Sequence, residues 1–350
     1  MSTKTRVIVI VNKYWECDPV CWVLTNKYIN DQCNLDLDVV NSLNLITYPS
    51  YGPVKPGING TIPRMVFEME NRNIEVWCIS DLLGNSPDDK QSSSEEKMKF
   101  LPEIYKYQYN GQELDIELVI AVGTASAGPS IELNPFFKSD NITGSVIVGS
   151  NVFMHNSYSP GSKSDFKCDC WGEIMGSGSN KFIRKLQNVD FKDKEPIHPF
   201  SLRVHNYAIE NYVASVDFKD KEQLLLCPST NPSPLGQHIY VNENYIALGS
   251  VNVTEYTKYA EEDKKTGNYF FAQYPGDIDG ASLETTHCLI YLAAKNYLEQ
   301  DPPFMFVSGI VDRYVGFDED VGPKTYAQNV SGAHNAGVAV AHIISKLTGN

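Results

Sequence analysis

Long hydrophobic runs are absent from the sequence, and no apolar segment approaches the roughly 20 residues that a membrane-spanning helix requires. The first apolar segment, residues 7–11, ends at Asn12 and Lys13 and is also too short for the core of a secretory signal. We therefore expect a cytoplasmic protein that makes no contact with a membrane.

Positive charge is also scarce, because 29 Lys and Arg residues stand against 43 Asp and Glu residues and give a net charge of -14 at pH 7. A protein that binds a phosphate backbone would need a basic surface strong enough to overcome this field. Nucleic acid is therefore not an expected partner. The chain of 350 residues is 42% hydrophobic, which is enough for a full buried core.

Cysteines are few and widely spread, and without a secretory signal we expect reduced thiols rather than disulfides. Only Cys168 and Cys170 are close enough to suggest a metal site. Their C-x-C spacing lacks a second matched pair, and His198 and His205 are distant in the sequence. Ordinary thiols are therefore the favoured interpretation, and we expect no metal.

Short apolar runs rich in β-branched residues predict central strands at residues 7–11, 74–79, 118–122, 146–148, 245–251 and 304–307. Apolar residues spaced three and four apart predict helices over residues 283–298 and 330–347. This alternation predicts a single α/β domain over residues 1–350, with a central mixed, partly parallel sheet flanked by helices. The Pro- and Gly-rich stretch 48–63 and the irregular stretch 156–234 are predicted to be loop insertions.

Four polar segments follow apolar runs, at the strand ends where α/β proteins place their ligands. In the first, residues 119–128 (VIAVGTASAG), the glycines predict a tight turn. Its backbone N–H groups and the hydroxyls of Thr124 and Ser126 are able to hold an anion or a sugar oxygen. Packing alone is the alternative explanation for Gly123 and its small neighbours.

The other three segments each place a titratable side chain after an apolar run. Asp312 in FMFVSGIVDRY follows a buried strand, where loss of water raises the pKa of a carboxyl group and suits a proton donor; capping the next helix is the alternative. Glu284 in ASLETT lies in a first helical turn, either for the helix dipole or to bind a ribose diol. His155 in NVFMHN is either a packed surface histidine or a ligand-binding residue.

In order and spacing, these segments resemble the nucleoside phosphorylase superfamily, most closely its nucleosidase branch acting on 5′-methylthioadenosine and S-adenosylhomocysteine. The resemblance runs from Val7 to Leu347. It implies that Glu16 in VIVIVNKYWECD is the general base. It also implies that Leu283 and Glu284 stand for the family's Met–Glu pair on the sugar, and that Asp312 interacts with purine N7.

The resemblance implies an enzyme that cleaves the bond between a purine and its ribose, with neither a metal nor an organic cofactor. Asp312 is the implied acid at the base, Glu284 the ligand of the ribose diol, and Glu16 the group that activates the nucleophile. Thr124 or Ser126 is implied to hold that nucleophile or a sugar oxygen, beside Gly123. Members of the superfamily are usually oligomers, so a homo-oligomer is implied as well.

The nucleophile separates two versions of this function. Phosphorylases of the superfamily commonly have an Arg before the Gly-rich turn and another in a Gly-x-Pro-x-Arg stretch, whereas here Ala121 stands at the first place and VNKYWECDP contains no Arg. This difference favours water, and therefore hydrolysis of an adenosine-like nucleoside. The alternatives are phosphorolysis, with phosphate bound through Arg203 or Lys13, and a sensor module that binds a nucleoside without turnover.

Overall fold

The computed structural model describes residues 4–24, 44–47, 63–69, 71–83, 94–128, 142–155, 172–176, 239–250, 259–275, 279–313 and 326–347. Within these residues the chain forms a 12-stranded sheet with helices packed on both faces. Among the helices in these ranges, none combines the length and the apolar character needed to cross a membrane.

The strands are β1 (Thr5–Val11), β2 (Asn44–Thr47), β3 (Met65–Met69), β4 (Arg72–Cys78), β5 (Asp115–Ala127), β6 (Val146–Gly149), β7 (Asn151–His155), β8 (Ile174–Gly176), β9 (Ile239–Val241), β10 (Ile246–Ser250), β11 (Gly280–Leu283) and β12 (Phe304–Asp312). The helices are α1 (Tyr14–Leu24), α2 (Ile79–Leu83), α3 (Ser94–Tyr105), α4 (Tyr259–Gln273), α5 (Thr285–Leu298) and α6 (Tyr326–Leu347). Helices α1, α2 and α5 each begin soon after a strand ends, as in α/β folds generally.

The long strand β5 lies at the centre of the sheet. Strands β1 and β12 run parallel to β5, and β1 also pairs in parallel with β4. Strand β11 meets the last residues of β5 in antiparallel orientation and begins a second parallel group with β10 and β7. Strands β2, β3 and β8 add antiparallel pairs towards the edges. The predicted mixed, partly parallel sheet flanked by helices is therefore confirmed.

The core is divided between the two faces of the sheet, because successive side chains of a strand point to opposite sides. Val7, Val9 and Val11 pack with residues of α1 and α6 on one face, whereas Ile8 and Ile10 pack with residues of α3 and α5 on the other. All five side chains are fully buried. Burial on both faces explains why the strand sequences are continuously apolar.

Two strands run further than their apolar sequences predict, because pairing with neighbours continues. The predicted turn at residues 123–128 is wrong: β5 stays extended through Ala127 and pairs there with β11 and β12. Strand β12 likewise continues through Asp312, so this aspartate ends the strand and does not follow it. The helix that Asp312 was alternatively expected to cap would begin among residues 314–325, which lie outside the described residues.

Both predicted helices are confirmed, with different starting points. Helix α5 begins at Thr285, because Leu283 completes β11 and Glu284 is the N-cap residue. Helix α6 begins upstream of the predicted start, at Tyr326. The stretches 48–63 and 156–234 lie outside the described residues, except Pro63 and residues 172–176, which include β8. The extent of a single domain therefore stays a prediction.

The predicted cysteine chemistry is tested in part. Cys17, Cys21, Cys78 and Cys288 are buried free thiols, as expected. In the part of the chain that the structure describes, no three His, Cys, Asp or Glu side chains are grouped so as to hold a metal ion. The C-x-C pair, the two distant histidines and the candidate phosphate ligand Arg203 lie outside the described residues.

Candidate active site

The candidate site forms where the two parallel groups of strands meet, at the end of β5. Ser126 of β5 pairs with Leu283 of β11 and also with Asp312 of β12. The register between β5 and β12 shifts between Ile310 and Asp312, which brings the aspartate opposite Ser126. Because β11 runs antiparallel to β5, the residue after Leu283 lies alongside β5 rather than beyond its end. Strand pairing thus places three of the predicted residues, Leu283, Ser126 and Asp312, side by side in one row across β11, β5 and β12.

Glu16 in the first turn of α1 is held by the central strand. Its Oε1 atom accepts hydrogen bonds from the backbone N–H and the hydroxyl of Thr124, both at 2.8 Å. Its Oε2 atom accepts from the backbone N–H of Lys13 at 3.0 Å. Burial raises the pKa of Glu16, and the hydrogen bonds from Thr124 oppose this rise. The Thr124 hydroxyl therefore orients the carboxylate of Glu16.

Glu284 occupies the N-cap position of α5. Its backbone is extended, and its Oε2 atom accepts a hydrogen bond from the backbone N–H of His287 at 2.7 Å. Burial raises the pKa of Glu284, whereas the positive charge of Lys97 lowers it. Glu284 therefore has a structural role at the start of α5, as the sequence offered. Its carboxylate lies at the end of β11.

Gly123 separates the two glutamates. A Cβ atom at this position would lie 3.5 Å from Cε1 of His287, 3.6 Å from Oε1 of Glu16 and 3.8 Å from Cδ of Glu284. These are ordinary van der Waals distances, so the three side chains surround the missing side chain of one glycine. The structure thus brings together two carboxylates that are far apart in the sequence.

His287 connects Glu284 to two buried hydroxyls. Its Nε2 atom lies 3.0 Å from Oγ of Ser308, which donates a hydrogen bond to Oγ of Ser282, also at 3.0 Å. Its Nδ1 atom lies 3.3 Å from Oε2 of Glu284 but makes no hydrogen bond there. Burial lowers the pKa of His287 to about 3, so the imidazole is neutral. His287 was not predicted from the sequence, although it follows the capping glutamate by one helical turn.

Lys97 of α3 is the second residue that the sequence analysis missed. Its side chain is buried, and its Nζ atom donates a hydrogen bond to Oγ1 of Thr286 at 3.2 Å. The pKa of Lys97 is lowered to about 8, chiefly by burial and also by repulsion from Lys13, whereas Glu284 and Glu16 oppose the change. A signal was present in the sequence, because Lys97 falls on the apolar stripe of an amphipathic helix.

Lys13 completes a cluster of four charges. Burial lowers the pKa of Lys13, and attraction to Glu16, Cys78 and Glu284 opposes this change. The cluster of Lys13, Lys97, Glu16 and Glu284 therefore has two potential cations and two potential anions. Opposite charges in a buried setting stabilise one another's charged forms. This attraction offsets part of the free-energy cost of removing each group from water.

Asp312 lies in the same row, next to the last helix. Its side chain is buried. A Cβ atom at Gly309 would lie 2.0 Å from the carbonyl oxygen of Gly332, and a Cβ atom at Gly332 would lie 2.4 Å from Cγ1 of Val311. Glycine at both positions therefore allows α6 to pack directly against the end of β12, behind Asp312.

His155 stands apart from the other predicted residues. It ends β7, opposite Ser250 of β10, so β10 separates it from β11 and Glu284. Its ring stacks on Tyr269 of α4, with centroids 4.1 Å apart and an interplanar angle of 25°. This contact matches the packed surface histidine that the sequence offered, and a role in ligand binding stays a prediction.

No protein-family model matches the chain, and no curated protein matches it. Among solved structures, the 5′-methylthioadenosine nucleosidase of Arabidopsis thaliana in apo form is 11% identical, with 100% of this chain and 98% of that chain covered and a TM-score of 0.48. The 5′-methylthioadenosine/S-adenosylhomocysteine nucleosidase of Colwellia psychrerythraea 34H in complex with adenine is 11% identical, with coverages of 99% and 96% and a TM-score of 0.46.

A third similar structure is the 5′-methylthioadenosine/S-adenosylhomocysteine nucleosidase of Helicobacter pylori, complexed with a 4-amino-pyrrolo-pyrimidine derivative. It is 8% identical, with 98% of this chain and 99% of that chain covered and a TM-score of 0.46. All three solved structures are named as nucleosidases of 5′-methylthioadenosine.

Proposed function

We propose that the chain is a purine nucleosidase, which hydrolyses the N-glycosidic bond of an adenosine-like nucleoside. The observation that carries this proposal is the convergence of Glu16 and Glu284 around Gly123, at the strand end where Asp312 also lies. Hydrolysis of a glycosidic bond requires an acid that protonates the leaving group, a base that activates the water and a group that fixes the sugar. Three carboxyl groups at one sheet edge are able to divide these tasks.

Asp312 is the proposed acid. Its burial at the end of β12 suits a carboxyl group that holds its proton, because loss of water disfavours the charged form. A proton or hydrogen bond given to N7 makes the purine a better leaving group. Ser126, which pairs with Asp312 in the sheet, is the proposed hydrogen-bonding neighbour of the sugar.

Glu284 is the proposed ligand of the ribose diol. A carboxylate is able to accept a hydrogen bond from each of two adjacent hydroxyls. Its position as N-cap fixes it against α5, so it orients the sugar with little loss of side-chain freedom. Leu283 ends β11 immediately before it and supplies apolar surface beside the ribose. His155 on β7 is the proposed contact for a more distant part of the ligand.

Glu16 is the proposed base for water. The two hydrogen bonds that it accepts from Thr124 fix the position of one carboxylate oxygen and stabilise the ionised form. A pKa raised by burial makes this carboxylate a stronger base than an exposed glutamate. Attack by the activated water on an oxocarbenium-like sugar then completes hydrolysis.

The balance of charge favours water over phosphate. Phosphate carries close to two negative charges and needs cations that no carboxylate already occupies. In the described part of the chain, the potential cations beside Glu16 and Glu284 are Lys13 and Lys97, and each is attracted to these same glutamates. We therefore expect the reaction to proceed without phosphate.

Incubation of the protein with a panel of purine nucleosides tests the proposal. Reverse-phase analysis is expected to show free purine in phosphate-free buffer, most of it from 5′-substituted adenosines. Free purine that forms only after phosphate is added would identify a phosphorylase instead. A protein that binds nucleosides in calorimetry and releases no base from any of them would be a sensor module.

The family resemblance also implies a homo-oligomer, and sedimentation of the same sample tests this prediction.

A further inference from the structure

Lys97 is an unusual residue for its place in the fold. It lies on the buried side of α3 together with Leu101 and Ile104, and its side chain is only 3% exposed. An ammonium group that is removed from water is unfavourable unless nearby negative charge compensates for the lost hydration. An apolar residue would serve packing at this position, so the charge calls for a separate explanation.

The compensating groups belong to the candidate active site. Lys97 donates one hydrogen bond, to Oγ1 of Thr286 at 3.2 Å, and Thr286 follows the N-cap residue Glu284 by two positions. The carboxylates that attract Lys97 are Glu284 and Glu16, and the cation that repels it is Lys13. The buried lysine is thus linked to Glu284 through Thr286, whose side chain and backbone hydrogen-bond to that glutamate.

Three other titratable groups on the neighbouring elements α2 and α5 do not supply an unpaired charge to Lys97 or Glu284. His287 on α5 is neutral, since burial lowers its pKa to about 3. Cys288 on α5 stays a neutral thiol because burial raises its pKa. Asp81 on α2 is bound by Arg64, through hydrogen bonds of 2.9 Å and 2.7 Å.

We propose that Lys97 is a positioning residue, which keeps Glu284 ionised and so sets the pH range over which the site binds the ribose diol. The choice of ligand rests on the proposed function, whereas the coupling between Lys97 and Glu284 does not. Lys97 acts through Glu284 and not on the reacting atoms.

The physical basis is the ionisation of a buried carboxyl group. Only the ionised form of Glu284 is able to accept hydrogen bonds from both hydroxyls with either oxygen. Burial raises the pKa of Glu284, and the charge of Lys97 is the strongest influence that lowers it. Without that charge, Glu284 takes up a proton at a higher pH and loses one acceptor. Lys97 itself keeps its proton below its own pKa of about 8.

Substitution of Lys97 by methionine, which keeps most of the packing, is the direct test. Carbon-13 NMR of the glutamate carboxyls is expected to show the pKa of Glu284 rising by about one unit or more in Lys97→Met. At pH 6, calorimetry with 5′-methylthioadenosine is expected to show roughly tenfold weaker binding, which recovers by pH 8. Binding of free adenine is expected to be unchanged at both pH values.

Two matched variants separate charge from packing. Lys97→Arg keeps the positive charge and is expected to restore most of the riboside affinity at pH 6. Lys99→Met removes an exposed lysine of the same helix and is expected to leave the titration of Glu284 unchanged. An unchanged pKa of Glu284 in Lys97→Met, or an equal loss of affinity at pH 6 and pH 8, would overturn the proposal.

A further measurement does not depend on the folding of Lys97→Met. Nitrogen-15 NMR of the lysine side chains is expected to show the pKa of Lys97 falling in Glu284→Gln, because the negative charge that attracts Lys97 most strongly is lost. No change in that pKa would also overturn the proposal. If the wild-type protein binds no riboside, the proposed function fails, but both titrations in ligand-free protein still decide whether Lys97 and Glu284 are coupled.

Discussion

At the scale of single residues, Asp312 is the most direct target. Asp312→Asn preserves the size of the side chain but removes the transferable proton, so we expect the fold to persist and turnover to fall by roughly 100-fold or more. The loss should be largest for purines that are poor leaving groups. Steady-state rates of base release, with thermal unfolding as the control for the fold, measure this effect. A rate near that of the wild type would remove Asp312 from the mechanism.

Glu16 offers a second test at the same scale. Glu16→Gln retains much of the hydrogen-bonding geometry around Thr124 but is unable to take a proton from water. We expect turnover to be abolished while calorimetry shows nearly unchanged affinity for the substrate. Thr124→Val serves as a graded control: it removes one hydrogen bond that lowers the pKa of Glu16, so the acidic limb of the rate profile should move to higher pH. Weak binding by Glu16→Gln would mean that this glutamate holds substrate instead.

The sequence allowed some of these residues to be predicted and not others. Asp312 and Glu284 follow apolar runs, and polar residues at such positions are visible in the sequence alone. The family resemblance implied that Glu16 and Thr124 share one site, but their hydrogen bonds were not predicted, because the residues are 108 positions apart. Lys97 was missed because a lysine is ordinarily taken for an exposed residue, and only its helical stripe shows otherwise.

At the scale of elements, two glycines with different surroundings predict different effects on substitution by alanine, one on stability and the other on activity. A Cβ atom at Gly309 would lie 2.0 Å from a backbone oxygen of α6, so Gly309→Ala must push the helix away from β12. We expect a loss of about 1–3 kcal/mol in the free energy of unfolding, typical of overpacking. At Gly123 the nearest atom is 3.5 Å away, so Gly123→Ala should leave stability unchanged but reduce activity by occupying the space between the carboxylates.

Urea denaturation and rate measurements on both glycine variants check this contrast. Equal stability of Gly309→Ala and the wild type would show that α6 does not need the close approach to β12. Full activity of Gly123→Ala would show that substrate does not occupy the space around Gly123, which would weaken the placement of the site.

The elements themselves were largely predictable, and their ends were not. Continuous apolar runs identified β1, β5 and β12, because strands covered on both faces have no polar side. The far end of β5 was predicted as a turn from its small residues, yet pairing with β11 and β12 keeps it extended. Small residues there permit close packing of strands, and sequence alone does not distinguish this from a turn.

At the scale of the whole molecule, buried neutral histidines couple folding to pH. Burial lowers the pKa of His334 in α6 to about 4, below its ordinary value of 6.5. The native state therefore binds fewer protons than the unfolded state between these values, so stability falls as the pH falls below 6.5. The raised pKa values of Glu16 and Glu284 act in the opposite direction, since protonation favours their buried state.

His334→Gln isolates this contribution. The variant lacks the group that must lose a proton on folding, so its loss of unfolding free energy between pH 7 and pH 5 should be smaller by about 2 kcal/mol. Urea denaturation at the two pH values measures the difference. An identical pH dependence in the variant and the wild type would show that folding does not lower the pKa of His334.

The central proposal is that these carboxylates direct water to a glycosidic bond. The most direct measurement is the identity of the sugar released from 5′-methylthioadenosine in buffers with and without phosphate. We predict equal rates of adenine release in both, with the free 5-thio-substituted sugar as the only other product, and no release by Asp312→Asn and Glu16→Gln combined. Release that requires phosphate and yields the sugar 1-phosphate would contradict the account.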